Sequence, residues 1–183
     1  MHRLFVAFRP PEAILAQLSG LMGGVAGARW QDEANLHLTL RYIGEVDSRV
    51  ADDVVAVLEG LTFAPLELRL AGVGTFDRKD QGRPLWAGVT PHDALNGLHK
   101  KIDHALLRAG VEAEHRAYLP HITLARFGRG KGDAVEWLAA NGGLSSAPFM
   151  LDHVALYESH IGGGGAHYEE VMRVVASIYL PAR

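Results

Sequence analysis

The sequence predicts an α+β fold of two similar lobes, related by a pseudo-two-fold axis, in which mainly antiparallel sheets line a central cleft and helices lie outside. Three observations carry this. The order strand–helix–strand–helix–strand occurs twice, over about residues 3–74 and again over about 84–158, and self-similarity of this kind marks one supersecondary unit used twice. Most strand segments alternate polar and apolar residues, which favours antiparallel sheets with one wet face over a doubly wound parallel sheet. No Ser/Pro-rich linker separates the copies, so the 183 residues read as a single two-lobed domain.

The elements follow in order. Leu4-Phe5-Val6-Ala7-Phe8 and Leu85-Trp86-Ala87-Gly88-Val89 are apolar runs that stop at Pro10 and Pro91 and read as buried strands. Each leads into a helical pattern. Ile14, Leu15, Leu18 and Met22 keep helical spacing before Gly23-Gly24, and Leu95, Leu98, Ile102, Ala105 and Leu106 do so before Gly110. The segments from His37 to Gly44 and from His121 to Gly128 then alternate with the period of a half-buried strand. Second helices are expected over 48–59, from Ser48 to Gly60, and over 133–140, from Asp133 to Asn141-Gly142. A third strand follows in each copy, at Leu66–Leu70 and at Phe149–Tyr157, and a closing strand covers about 168–180. The loop Asp77–Arg83 and the run Gly162–Gly165 are expected to be the least ordered parts.

Composition narrows the function. Nearly half the residues are apolar, enough for a real core. A formal net charge of −3 argues against a general nucleic-acid coating protein; a nucleic-acid substrate would need a small, locally positive contact. With no cysteine, disulfides and cysteine-ligated metals are excluded, and a reducing cytoplasm is the compatible and expected location. The opening apolar run is too short for a signal peptide or a membrane span, so no membrane association is expected. No obligate protein partner is apparent either.

The chemistry concentrates in His37-Leu38-Thr39-Leu40 and His121-Ile122-Thr123-Leu124. Residues two apart in a strand share a face, so His37 joins Thr39 and His121 joins Thr123, while the apolar neighbours pack under helices. If the two copies are related by a two-fold axis, both polar faces meet across the cleft. Two histidines with an unperturbed pKa of about 6.5 suit in-line displacement at phosphorus. The neutral ring takes a proton from the attacking oxygen and the protonated ring gives one to the leaving oxygen. Threonine hydroxyls can donate to the non-bridging oxygens, where charge develops. No metal or cofactor is required. A single His-x-Thr in a strand is commonplace, but two copies at the same place in a duplicated unit add nothing obvious to a core. Strand parity gives the rings equal access and leaves their roles unassigned.

On these motifs, together with Asn35-Leu36 before the first, Tyr118-Leu119-Pro120 before the second, Ala125-Arg126 after it and Leu85–Val89, the chain resembles the two-histidine phosphoesterases, specifically the LigT-like RNA 2′,3′-cyclic phosphodiesterases or 2′-5′ RNA ligase-like proteins. The resemblance covers essentially the whole chain. It implies a bilobal fold and hydrolysis of a 2′,3′-cyclic phosphate, on an RNA terminus or a small nucleotide, to a 2′-phosphate. His37 would then be the proton donor to the leaving 3′ oxygen and His121 the proton acceptor that activates water. The family also joins RNA through 2′-5′ bonds. Alternatives are another cyclic nucleotide derivative as substrate, a non-catalytic module that binds RNA ends, and, more weakly, a metal-dependent hydrolase.

Strand parity separates the remaining candidates. Arg126 lies five residues after His121, an odd offset that points away from the cleft unless a bulge intervenes, yet the resemblance implies that it meets the phosphate. Arg41, four residues after His37, has the better parity for a substrate contact or a rim position. Phe76 and Tyr168, beside glycine-rich or polar loops, are expected to stack on a base, as Tyr118 also could, while Trp86 reads as core. His92, His99, His104, His115 and His153 read as solvated or partly buried, and His160 and His167 as flanking a mobile hairpin. The clusters Arg126–Arg129–Lys131 and Arg78–Lys79–Arg83 read as solvated loops that could guide an RNA end.

Overall fold

The two apolar runs that end at proline become the inner strands of the two halves of one sheet. In the computed structural model, which describes residues 1–76, 84–127, 133–162 and 165–177, the elements run β1 (His2–Phe8), α1 (Glu12–Ser19), β2 (Ala28–Trp30), a 3₁₀ turn (Glu33–Asn35), β3 (Leu38–Val46), α2 (Ser48–Glu59), β4 (Leu66–Thr75), β5 (Pro84–Thr90), α3 (His92–Leu107), β6 (His121–Phe127), α4 (Val135–Asn141), β7 (Phe149–Leu151), β8 (His153–Gly162) and β9 (Gly165–Val175). The sheet order is β7-β4-β5-β6-β3-β1-β8-β9, with β2 added to β6, and its strand pairings are antiparallel. The α+β, antiparallel expectation holds.

The order carries a consequence that a linear reading of the repeat misses. The third strand of the first copy, β4, pairs with β5 of the second, and β8 of the second pairs with β1 of the first. The copies are therefore interlocked through their last strands. The run expected as one strand from Phe149 to Tyr157 is broken at Asp152, which sends β7 to β4 and β8 to β1 at opposite ends of the sheet. β2 had no pattern to announce it. The first helix ends at Gly20 rather than at Gly23-Gly24, and α2 is capped by Asp47, whose carboxylate accepts from Val50 N–H at 2.9 Å, rather than by Ser48. The segment Asp77–Arg83, Arg129, Lys131, Gly163-Gly164 and the end of the expected closing strand lie outside the described residues.

The core lies between the sheet and the helices. Leu4, Val6 and Phe8 of β1 meet Ile14, Leu15 and Leu18 of α1, Val54 and Leu58 of α2, and Leu95, Leu98, Ile102 and Leu106 of α3, all buried. Burial of those apolar faces holds the helices to one side of the sheet and leaves the other free for the cleft. No helix among the described residues is long and apolar enough to cross a membrane. Where β5 crosses β4, a Cβ on Gly88 would stand 2.4 Å from the Ala71 carbonyl oxygen. Backbone cannot yield there, so Gly88→Ala is expected to cost about 1–3 kcal/mol of stability, read as a lowered midpoint in thermal or urea unfolding.

Candidate active site

The two motif strands meet in the middle of the sheet. β3 and β6 pair at Leu38↔Ile122, antiparallel. Continuing that register by one residue either way sets Thr39 opposite His121 and His37 opposite Thr123. Each histidine thus stands beside the threonine of the other motif, and all four side chains share the face opposite to buried Leu38, Leu40, Ile122 and Leu124.

Both rings are oriented in the same way. His37 Nδ1 donates to the Asn35 carbonyl at 2.7 Å, and His121 Nδ1 donates to the Leu119 carbonyl at 2.6 Å. A carbonyl only accepts, so the proton sits on Nδ1 in each neutral ring and Nε2 is the nitrogen that can exchange a proton with a ligand. The flanking aromatics also correspond. His37 packs on Phe5 (4.9 Å between centroids) and edge-on to Tyr168 (5.2 Å), and His121 packs on Trp86 (6.0 Å) and edge-on to Phe76 (5.0 Å). Phe5 and Trp86 occupy the same position in the repeated strand; Phe5 was identifiable from that alignment but lacks a polar neighbour to mark it. Trp86 is part-buried and packs on Phe76 and His121 rather than in the apolar core. Phe76 and Tyr168 each meet a histidine ring at near right angles.

Two cavities share the centre. One of about 140 Å³ is lined by His37, Phe5, Asn35, Gln31, Ser159 and Tyr168, and one of about 260 Å³ by His121, Phe76, Pro84, His99, Arg116 and Tyr118 among others. Thr39, Tyr42, Thr123 and Arg126 border both.

Arg126 reaches this face through a bulge. Leu85 pairs with Ala125 but Trp86 with Thr123, so Leu124 is an extra residue. The extra residue turns Leu124 and Ala125 both inward and returns Arg126 to the side of Thr123. The same device in β3 overturns the expectation for Arg41. Val6 pairs with Arg41 but Ala7 with Thr39, so Leu40 is the extra residue and Arg41 points into the body. Only 5% exposed, Arg41 donates from Nε to Asp103 Oδ1 at 2.7 Å and from a terminal nitrogen to the Glu112 carbonyl at 2.5 Å. It lines the larger cavity as part of the wall, but its guanidinium is committed to the protein. Tyr42, half-exposed, takes the cleft position that Arg126 has in the other half.

Burial, then the field of Arg126 and that of His121, hold His37 down to about 4, against the raising effect of its bond to Asn35. His37 is therefore neutral near pH 7. Burial raises the Tyr168 phenol, so it stays protonated. Among the described residues no three His, Asp or Glu side chains gather as metal ligands. His99, expected to be solvated or partly buried, is buried, because its Nδ1 donates to the Leu40 carbonyl at 2.6 Å. His160 and His167 face each other across the β8–β9 ladder, with His160 bonded to Glu169 at 3.2 Å.

Comparison with known proteins places the chain in a family. The family model described as the 2′-5′ RNA ligase superfamily matches residues 9–163. The RNA 2′,3′-cyclic phosphodiesterase of Thermotoga maritima is 34% identical over 68% of this chain and 69% of its own length. That of Methanocaldococcus jannaschii is 27% identical over 92% of this chain and 98% of its own. The structure of E. coli LigT complexed with 3′-AMP superposes with a TM-score of 0.76 at 22% identity, covering 97% of this chain and 99% of that one. At that identity it bears on the fold alone.

Proposed function

The chain belongs to the 2′-5′ RNA ligase superfamily, and from that premise we propose that it is a phosphodiesterase that opens a 2′,3′-cyclic phosphate on an RNA end or a nucleotide to leave a 2′-phosphate. The observation that carries the reading is the cross-strand pairing that sets Thr39 beside His121 and His37 beside Thr123, with Arg126 bordering both cavities. Curated relatives over most of this chain bear the name of that activity.

In the proposed reaction the cyclic phosphate lies on the two threonine hydroxyls and Arg126, which donate to its non-bridging oxygens. His121 Nε2 takes a proton from water as the water oxygen bonds to phosphorus. The bond from phosphorus to the 3′ oxygen breaks, and His37 Nε2 gives that oxygen its proton. A donor must be protonated, yet burial and the charge of Arg126 keep His37 neutral. The phosphodiester supplies what is missing: its charge offsets Arg126 and raises His37, so that substrate binding brings the proton with it. Joining of a 5′-hydroxyl to the cyclic phosphate, giving a 2′-5′ bond, uses the same groups with the hydroxyl in the place of water. A cytoplasmic location belongs to the same proposal, supported by a chain without cysteine.

The test is a short RNA carrying a terminal 2′,3′-cyclic phosphate, incubated in excess EDTA, with the product isomer identified. Turnover to the 2′-phosphate is the expected outcome. A 3′-phosphate product would reverse the assignment of the leaving oxygen. Binding without product would reduce the protein to an RNA-end binding module, and turnover abolished by EDTA would overturn the metal-free mechanism.

A further inference from the structure

The two motif strands carry the same bulge but satisfy it differently. At Leu124 the extra residue's carbonyl accepts from the backbone N–H of Gln31 at 2.8 Å, just beyond β2. Among the described residues no strand occupies the matching place beside β3. There the Leu40 carbonyl accepts from His99 Nδ1 at 2.6 Å, and the preceding Thr39 carbonyl accepts from the Tyr118 hydroxyl at 3.0 Å. The rings of His99 and Tyr118 stack at 4.4 Å with 3° between their planes. His99 comes from the middle of α3, and Tyr118 lies three residues before His121. A polar ring buried on the apolar stripe of a helix costs desolvation that a leucine would avoid, so its retention by packing alone is a poor account. Burial keeps the Tyr118 phenol protonated, as a fixed donor requires.

We propose that His99 and Tyr118 are positioning residues of the phosphodiester site: they hold the Thr39–Leu40 bulge from outside the sheet, and through it aim the Thr39 hydroxyl at the phosphate and keep Tyr42, not Arg41, on the cleft face. Neither side chain need touch the reacting atoms. Because Tyr118 sits on the approach to β6, the pair also ties the first motif to the second across the cleft. The proposal rests on the phosphodiesterase reading above.

The test is a double-mutant cycle in the whole protein with 2′,3′-cyclic AMP as substrate. Tyr118→Phe keeps the stack and removes the hydroxyl bond. It is expected to lower kcat about fivefold to tenfold, the worth of one lost hydrogen bond carried into the transition state, with KM within about twofold of wild type. His99→Leu is expected to lower kcat further. His99→Asn, which returns an N–H near the Nδ1 position, is expected to recover part of the loss. In a Thr39→Val background, Tyr118→Phe should cost less than about twofold, since residues that act through one another are not additive. An undiminished loss in that background overturns the proposal, as does a lower melting temperature with kcat intact. If His99→Leu fails to fold, Tyr118→Phe and His99→Asn carry the same comparison. A wild-type protein with no turnover would overturn the functional reading itself, whereas turnover with additive losses overturns this inference alone.

Discussion

Replacing either His37 or His121 by alanine is expected to lower kcat on a cyclic-phosphate RNA end by about 10²–10⁴-fold, the usual worth of one positioned proton transfer. Both rings are partly exposed on the polar face of their strands, so circular dichroism and the melting transition should stay near wild type. The double variant should be little worse than the poorer single one, because the two transfers serve one displacement. The variants differ in a second respect. Burial and Arg126 hold His37 down to about 4, below its ordinary value, so a bound phosphate anion that raises it must draw in a proton at pH 6–7. Titration calorimetry of 2′-AMP in buffers of different ionisation heat should show that uptake in wild type and lose it in His37→Ala. A His37→Ala protein with correct folding and most of its activity would refute the two-histidine mechanism.

Arg126→Ala is expected to lower kcat/KM by about 10²–10³-fold, as for loss of one donor aimed at developing charge. It should also move His37 upward in the free protein, since the arginine's field is the largest depressing influence after burial. Ring-proton NMR titration reads that shift without substrate, which separates electrostatics from substrate positioning. The matching change at Arg41 predicts something different. Arg41 is held by Asp103 and the Glu112 carbonyl, so its loss would leave Asp103 without its buried partner and act first on stability. An unchanged His37 titration and unchanged kcat/KM in Arg126→Ala would remove Arg126 from the site.

The bulges explain why parity misled for both arginines at once. Counting by two from His37 puts Arg41 in the cleft, and counting by two from His121 puts Arg126 outside it. One extra residue, Leu40 in the first strand and Leu124 in the second, exchanges those outcomes. Nothing in Thr-Leu-Arg-Tyr or Thr-Leu-Ala-Arg announces a bulge, because the extra leucine is as apolar as its neighbours and is buried either way. The bulge turns Arg126 to the cleft face, the side that the resemblance implied and the period alone did not.

Most of the strand and helix order, the duplicated unit, the buried faces and the pairing of each histidine with a threonine on a polar face are legible in the sequence, with β2 and the break at Asp152 as exceptions. Those features are local, set by side-chain period and by proline and glycine stops, and they survive any arrangement of the elements. Long-range packing sets the rest: β4 and β8 cross to the other copy, the register of Leu38 with Ile122 carries Thr39 opposite His121, Phe5 and Tyr42 belong to the cleft, and His99 is buried against a bulged carbonyl. Those outcomes depend on strand register and on which carbonyls a bulge leaves for side chains to satisfy. Such hydrogen bonds join residues as far apart as Leu40 and His99, and no period along the chain encodes them.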